Sequence, residues 1–146
     1  MNLFGVLTIN GSALTAERQR AELVASNLAN QETTRTPEGG PYRRQHVVFG
    51  TWRPSKGTFA RLLERFGDIY ARGVRVERVV QDPAPPVRRF DPSHPDADAQ
   101  GYAAYPAINP IEEMVNLMGA ARAYQLNAAA TQATKSMIQQ SLEILR

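Results

Sequence analysis

Two long stretches with helical periodicity occupy the ends of this chain, at 3–30 and 110–146, and they constrain the fold more than any other feature. At 1.5 Å per residue such helices run roughly 40 and 54 Å. A compact chain of this length has a radius of gyration of only about 15 Å. The C-terminal helix would therefore overrun a globule built from its own chain. A long helix with too little protein to cover it finds cover in neighbouring subunits, so the pattern predicts an assembly protein. The expected class is α+β: long N- and C-terminal helices pairing as a coiled-coil-like bundle, with a small β-rich middle. The expected division is 1–30, 31–109 and 110–146.

In the first stretch Leu7, Leu14, Ala21 and Leu28 recur every seven residues, with Leu3, Val24 and Ala25 flanking them. Gly11-Ser12 interrupts the pattern and predicts a kink or a separate first turn. Asn30 is the expected stop, because asparagine tolerates the left-handed conformation that closes helices. In the second stretch Met114, Leu117, Ala121, Tyr124, Ala128, Thr131, Lys135, Ile138, Leu142 and Leu145 fall on heptad a and d positions, and only Thr131 and Lys135 break the apolar seam. Ile111, Val115 and Met118 form a second, partial apolar face. Pro110 suits a helix start, with Glu112 and Glu113 in the first turn, where the macrodipole favours carboxylates. Exposed seams of this kind predict ends that order only with partners.

The middle is punctuated by Pro and Gly. Residues 31–41 read as loop, 42–52 as extended around Val47, Val48 and Phe49, and 74–80 as a strand with Arg75 and Glu77 on its outer face. Phe59, Leu62, Leu63, Phe66, Ile69 and Tyr70 have helical spacing. Five prolines between Asp82 and Pro95 force an extended or turning path. Residues 101–105 are one more short strand.

The chain has no cysteine, which excludes disulfides, thiolate catalysis and Cys-based zinc sites. The N-terminus lacks the positive start of a secretory signal, and its apolar run is too short to span a bilayer. Net charge is +3, but residues 43–89 alone carry eleven Lys or Arg against four Asp or Glu. Such a block, with Arg43 and Arg44 at its start, can face an acidic partner or lie as a solvated surface; a basic nucleic-acid-binding module is the alternative of a different class. No phosphate loop, dinucleotide fingerprint, nucleophile elbow or zincin motif is present. Asp91, His94, Asp96 and Asp98 form the only metal-like cluster, yet their spacing matches no standard site and reads as a Pro-rich turn. Trp52 reads as a packing residue. No residue is assigned to catalysis, metal or cofactor, and the chain is not expected to be an enzyme.

Ser12-Ala13-Leu14-Thr15-Ala16 followed by Arg20, then Ala25-Ser26-Asn27-Leu28-Ala29-Asn30 with Thr33-Thr34, resembles the N-terminal signature of the bacterial flagellar axial proteins. Within that superfamily of rod and hook proteins, several segments are similar to the proximal rod. They are Pro37-Glu38-Gly39-Gly40-Pro41-Tyr42-Arg43-Arg44, Gly73-Val74-Arg75-Val76, the stretch from Phe90 through Asp91-Pro92-Ser93-His94-Pro95 to Asp98, and Gly101-Tyr102. Glu112-Glu113-Met114, Ala121-Arg122-Ala123-Tyr124 and Lys135-Ser136-Met137 complete the pattern. The resemblance implies a structural subunit of the proximal rod of the flagellar basal body, part of the shaft that carries torque from rotor to hook and lines the export channel, and required for motility. Another rod subunit of the superfamily is the nearer alternative. It also implies stacking with copies of itself and other rod proteins, contact with the rod–rotor adaptor and possible contact with the surrounding rings, and export by the flagellar type III apparatus without a cleaved signal. Neither nucleic acid nor a membrane span is implied. The expected assembly interface is the two seams. Ser26, Asn27, Leu28, Ala29, Asn30, Glu113, Met114, Arg122 and Tyr124 carry the signature, with Asn27 and Asn30 as helix-end hydrogen-bonding residues.

Overall fold

The computed structural model describes residues 3–51 and 73–144. Trp52, the periodic residues between Phe59 and Tyr70, and Leu145 lie outside the described residues. The chain is α+β. Helix α1 spans Leu3–Ala29, followed by strands β1 (Gln45–Thr51), β2 (Val74–Gln81), β3 (Val87–Phe90) and β4 (Tyr102–Tyr105), and then helix α2, Pro110–Ile144. Among the described residues no helix is long and apolar enough to cross a membrane.

Helix α1 runs through Gly11-Ser12 without a break. No separate first turn forms there; the Ser12 hydroxyl donates to the Ile9 carbonyl at 2.7 Å and accepts the Val74 N–H at 3.0 Å. Asn30 ends the helix, though not through the left-handed region, since none of the described non-glycine residues has a positive φ. Its N–H and its side-chain Nδ2 both donate to the Ser26 carbonyl, at 3.1 and 2.9 Å, and its Oδ1 accepts the Thr33 hydroxyl. The side chain thus stabilises the end that backbone geometry was expected to close. At the start of α2, Asn109 Oδ1 accepts the Ile111 N–H at 3.1 Å, an N-cap directly before Pro110.

The strands form two two-stranded sheets, β1–β2 and β3–β4. Asp82 N–H donates to the Arg44 carbonyl at one end of β1–β2, and Gly50 lies against Glu77 towards the other, so these strands run antiparallel. The Pro-rich path between Asp82 and Pro95 contains β3, which pairs antiparallel with β4 in the register Val87↔Tyr105 to Phe90↔Tyr102. Ala103 faces inward and is fully buried, whereas all four residues of β3 are exposed. On the outer face the Phe90 and Tyr102 rings meet edge-on at 5.3 Å and the Arg88 guanidinium lies over Tyr102. Gly101, at φ +82°, closes the connection where a Cβ would come within 3.0 Å of Phe90.

That connection holds the Asp91, His94, Asp96 and Asp98 cluster, and each member is engaged in turn structure. Asp91 accepts the Ser93 N–H and hydroxyl; Asp96 accepts the Thr34 hydroxyl and donates its own N–H to His94 Nδ1. Asp98 accepts the Gln100 and Tyr102 N–H groups and pairs with Arg88. The Ser93 hydroxyl holds the Asp91 carboxyl below its ordinary range, and the Tyr102 N–H does the same for Asp98. Carboxylates depressed in the folded chain add stability above their unfolded pKa of about 3.9 and lose it as pH falls through the folded value. Acid titration followed by NMR is therefore expected to shift the Gln100 and Tyr102 amides together, with a midpoint below that of a free aspartate. A midpoint at or above the free value contradicts the assignment.

Two compact units emerge, each built from pieces of both helices. One comprises 1–19, 49–77 and 120–146; the other comprises 20–48 and 78–119. The start of α1 is thus grouped with the end of α2 in one unit, and the end of α1 with the start of α2 in the other. In the first unit Gly73 meets α1 closely: a Cβ there would lie 2.4 Å from Ser12 Oγ and 3.0 Å from Ser12 Cβ. Gly73→Ala is expected to cost about 1–3 kcal/mol in thermal or denaturant unfolding, as other forced overpackings do. Ser12→Ala in the same chain should recover only part of that, because the Ser12 Cβ remains. Additive effects of the two changes would refute this contact.

Candidate functional site: the helix faces and the polar node behind them

The largest fully buried side chains among the described residues are Glu113 and Asn27, not leucines or aromatics. The sequence had placed Glu113 at the helix start for the macrodipole. The structure turns it inward, 1% exposed, while Ile111 two residues earlier is 73% exposed.

Glu113 is the centre of a polar node within the second unit. Its Oε1 accepts the Arg44 Nε and Nη2 N–H groups at 2.9 and 2.5 Å, a two-pronged ion pair. Its Oε2 accepts an N–H of Asn27 Nδ2 at 3.0 Å, and the same Nδ2 donates to the Gln45 carbonyl at 2.7 Å. Asn27 Oδ1 accepts the Gln45 N–H at 3.0 Å and the Tyr42 hydroxyl at 3.1 Å. Asn27 therefore uses both donors and both acceptor lone pairs, the full capacity of a carboxamide. Arg44 also lies 3.8 Å from Asp82. One node thus joins the end of α1, the start of β1, the end of β2 and the first turn of α2. Arg44, expected beside Arg43 as a charge facing outward, is instead neutralised inside the chain; Arg43 remains exposed.

The expected seams sit at the margin of this interior or outside it. On α1, Leu7, Leu14, Ala21 and Leu28 are half-buried, while the buried positions are Asn10, Ala16, Val24 and Asn27. On α2 the most enclosed positions are Glu113, Ala120 and Thr134, with Asn127 half-buried, a heptad one residue before the seam. One residue is about 100° of helix. Met114, Ala121, Tyr124, Ala128 and Leu142 are accordingly exposed; Leu117 and Ile138 are half-buried. Of the remaining signature residues, Ser26 and Asn30 are half-buried, and Ala29 and Arg122 are exposed. Ile111, Val115, Met118, Leu126 and Ile144 are exposed as well.

The distribution refines the expectation of ends that order only with partners. Amide exchange is expected to be slowest at the polar node, where the Gln45 N–H bonds a buried carboxamide. It should be fast over the last two turns of α2, where Leu142 and Ile144 are 61% and 85% exposed. Equal protection at the two places would contradict this. Among the described residues, no group of three or more His, Cys, Asp or Glu is placed to hold a metal ion.

Two long terminal helices, a polar node between them, exposed apolar side chains along α2 and a small strand-bearing middle make up the described chain. Residues 99–144 match the family model described as flagellar basal body rod FlgEFG protein C-terminal. The chain is 40% identical to the flagellar basal-body rod protein FlgC of Bacillus subtilis, with 99% of each chain covered. It is 37% identical to that of Borreliella burgdorferi, over 100% of this chain and 99% of the relative. With the Salmonella typhimurium protein of the same name the identity is 37%, over 99% and 98%. The chain belongs to the flagellar basal-body rod protein FlgC family.

Proposed function

We propose that this chain is a structural subunit of the proximal rod of the flagellar basal body. It stacks with copies of itself and with other rod proteins, transmits torque from rotor to hook and, through α1 and α2, lines the export channel. The observation that carries the reading is the inversion along α2: a carboxylate is enclosed while Ile111, Met114, Val115 and Met118 face outward. A solitary domain gains nothing from that arrangement. A subunit whose apolar face is covered by neighbouring helices gains the burial free energy of each side chain, about 1.5–3 kcal/mol when complete.

In this reading 1–30 and 110–146 form the inner layer and 31–109 the outer one, and the seam residues from Leu7 to Leu28 and from Met114 to Leu145 are the assembly interface. The rod–rotor adaptor is a further partner, the surrounding rings are possible ones, and the chain reaches the periplasm through the flagellar type III apparatus. Its role is mechanical, without catalysis. The test is mass spectrometry of detergent-extracted hook–basal bodies. The chain should co-purify with the rod fraction and be lost with it. Its absence from basal bodies that retain the other rod proteins would overturn the reading.

A further inference from the structure

We propose that Arg44, Glu113 and Asn27 set the axial register of the α1–α2 pair, a task that the apolar positions of the two helices leave undetermined.

The buried positions of α2 after Glu113 are Ala120 and Thr134, both small, with Asn127 half-buried on the same heptad spacing; Leu117 and Ile138 are larger but only half-buried. Sliding α2 by a heptad, about 10 Å, exchanges one such residue for another. The seam positions Ala121 and Ala128 are equally permissive. Packing of small side chains admits several registers of similar energy.

The polar node admits one. Advancing α2 by a heptad brings Ala120 to the level of Glu113, and retreating by a heptad brings Pro106, which precedes the helix. A shift of one turn brings Asn116 or Leu117. None of these carries a carboxylate. Ala120, Pro106 and Leu117 offer no side-chain acceptor to Arg44 or Asn27, and Asn116 offers one neutral oxygen in place of a carboxylate, so each leaves Arg44 with only Asp82, 3.8 Å away, as a charged partner, with Asn27 still tied to Gln45 by two bonds. Arg44 cannot follow the shifted glutamate, because β1 begins at the next residue and the Arg44 carbonyl is held by Asp82 N–H. The node resembles a single polar layer in an otherwise permissive coiled coil, where the polar layer specifies register and apolar layers supply stability. Apolar replacement of a buried ion pair commonly preserves stability, so register is the property that separates the two roles.

The absence of cysteine makes the test direct. Ala25→Cys and Met118→Cys place spin labels at two exposed positions of the same unit, on α1 and α2. Dipolar distances are then measured in the full chain, with Arg44 and Glu113 intact, with Arg44→Met/Glu113→Leu, and with Arg44→Leu/Glu113→Met. The intact chain should give one narrow distance peak. An apolar pair should retain helical circular dichroism but give a broad distribution, or a second peak displaced by several ångströms. A single unshifted peak in a folded apolar variant would overturn the proposal, as would multiple peaks in the intact chain. Loss of helicity in both apolar variants would overturn it too, since the node would then act as a stability element.

Discussion

Glu113→Ala is expected to lower the unfolding free energy of the chain by about 3–5 kcal/mol, the usual consequence of removing one partner from a buried ion pair. The carboxylate is 1% exposed, and its loss strands a guanidinium and a carboxamide N–H in the same enclosed space. Domains of this kind are stable by only 5–15 kcal/mol or so, hence the change removes a large share. Glu113→Gln should cost less, because the amide oxygen still accepts one bond, although Arg44 then keeps only Asp82, 3.8 Å away, as a charged partner. Denaturant melts of the three chains give the values directly. A Glu113→Ala loss below about 1 kcal/mol, the scale of a surface pair, would show that the node contributes little.

Leu142→Asp is expected to do the reverse: leave the single chain intact and abolish assembly. Leu142 is 61% exposed, so the isolated fold tolerates a carboxylate there. In the proposed rod the same position lies against neighbouring helices, where an unpaired charge costs several kcal/mol per subunit contact. Because every copy carries the change, the cost repeats along the stack. Met118→Asp, 55% exposed near the other end of α2, should behave alike. Circular dichroism and melting should match the unsubstituted chain, while motility and recovery in basal bodies fall to background. Normal incorporation of either variant would remove these positions from the interface.

These two expectations concern different faces of the helices, and only the exposed one was legible in the periodicity. Heptad spacing identified Met114, Ala121, Ala128 and Leu142 as one face because spacing encodes which residues share a face. It does not encode which of two adjacent faces meets the chain's own partner. Glu113 shows the limit most clearly. A glutamate in a first helical turn has a sufficient local reason to be there, so nothing nearby signals a partner 69 positions away. Strand β3 was hidden for a related reason: in Val87-Arg88-Arg89-Phe90 the flanking prolines masked a pairing that only Tyr102 to Tyr105 completes. Gly11-Ser12 suggested a separate first turn where the helix is continuous, and nothing local to Ser12 announced its bond to Val74.

The sequence alone therefore determined the two long helices, the strand-bearing middle and apolar helix positions such as Met114 and Leu142 that the chain's own fold leaves exposed. These follow from local propensity, periodicity and length, which a chain carries without folding. The tertiary structure decided which stripe turns inward, that Arg44 and Glu113 neutralise each other, and where Gly73 must lack a side chain. Those depend on distances between residues far apart in the chain, and burial makes such distances decisive because an unpaired polar group there has no water to turn to.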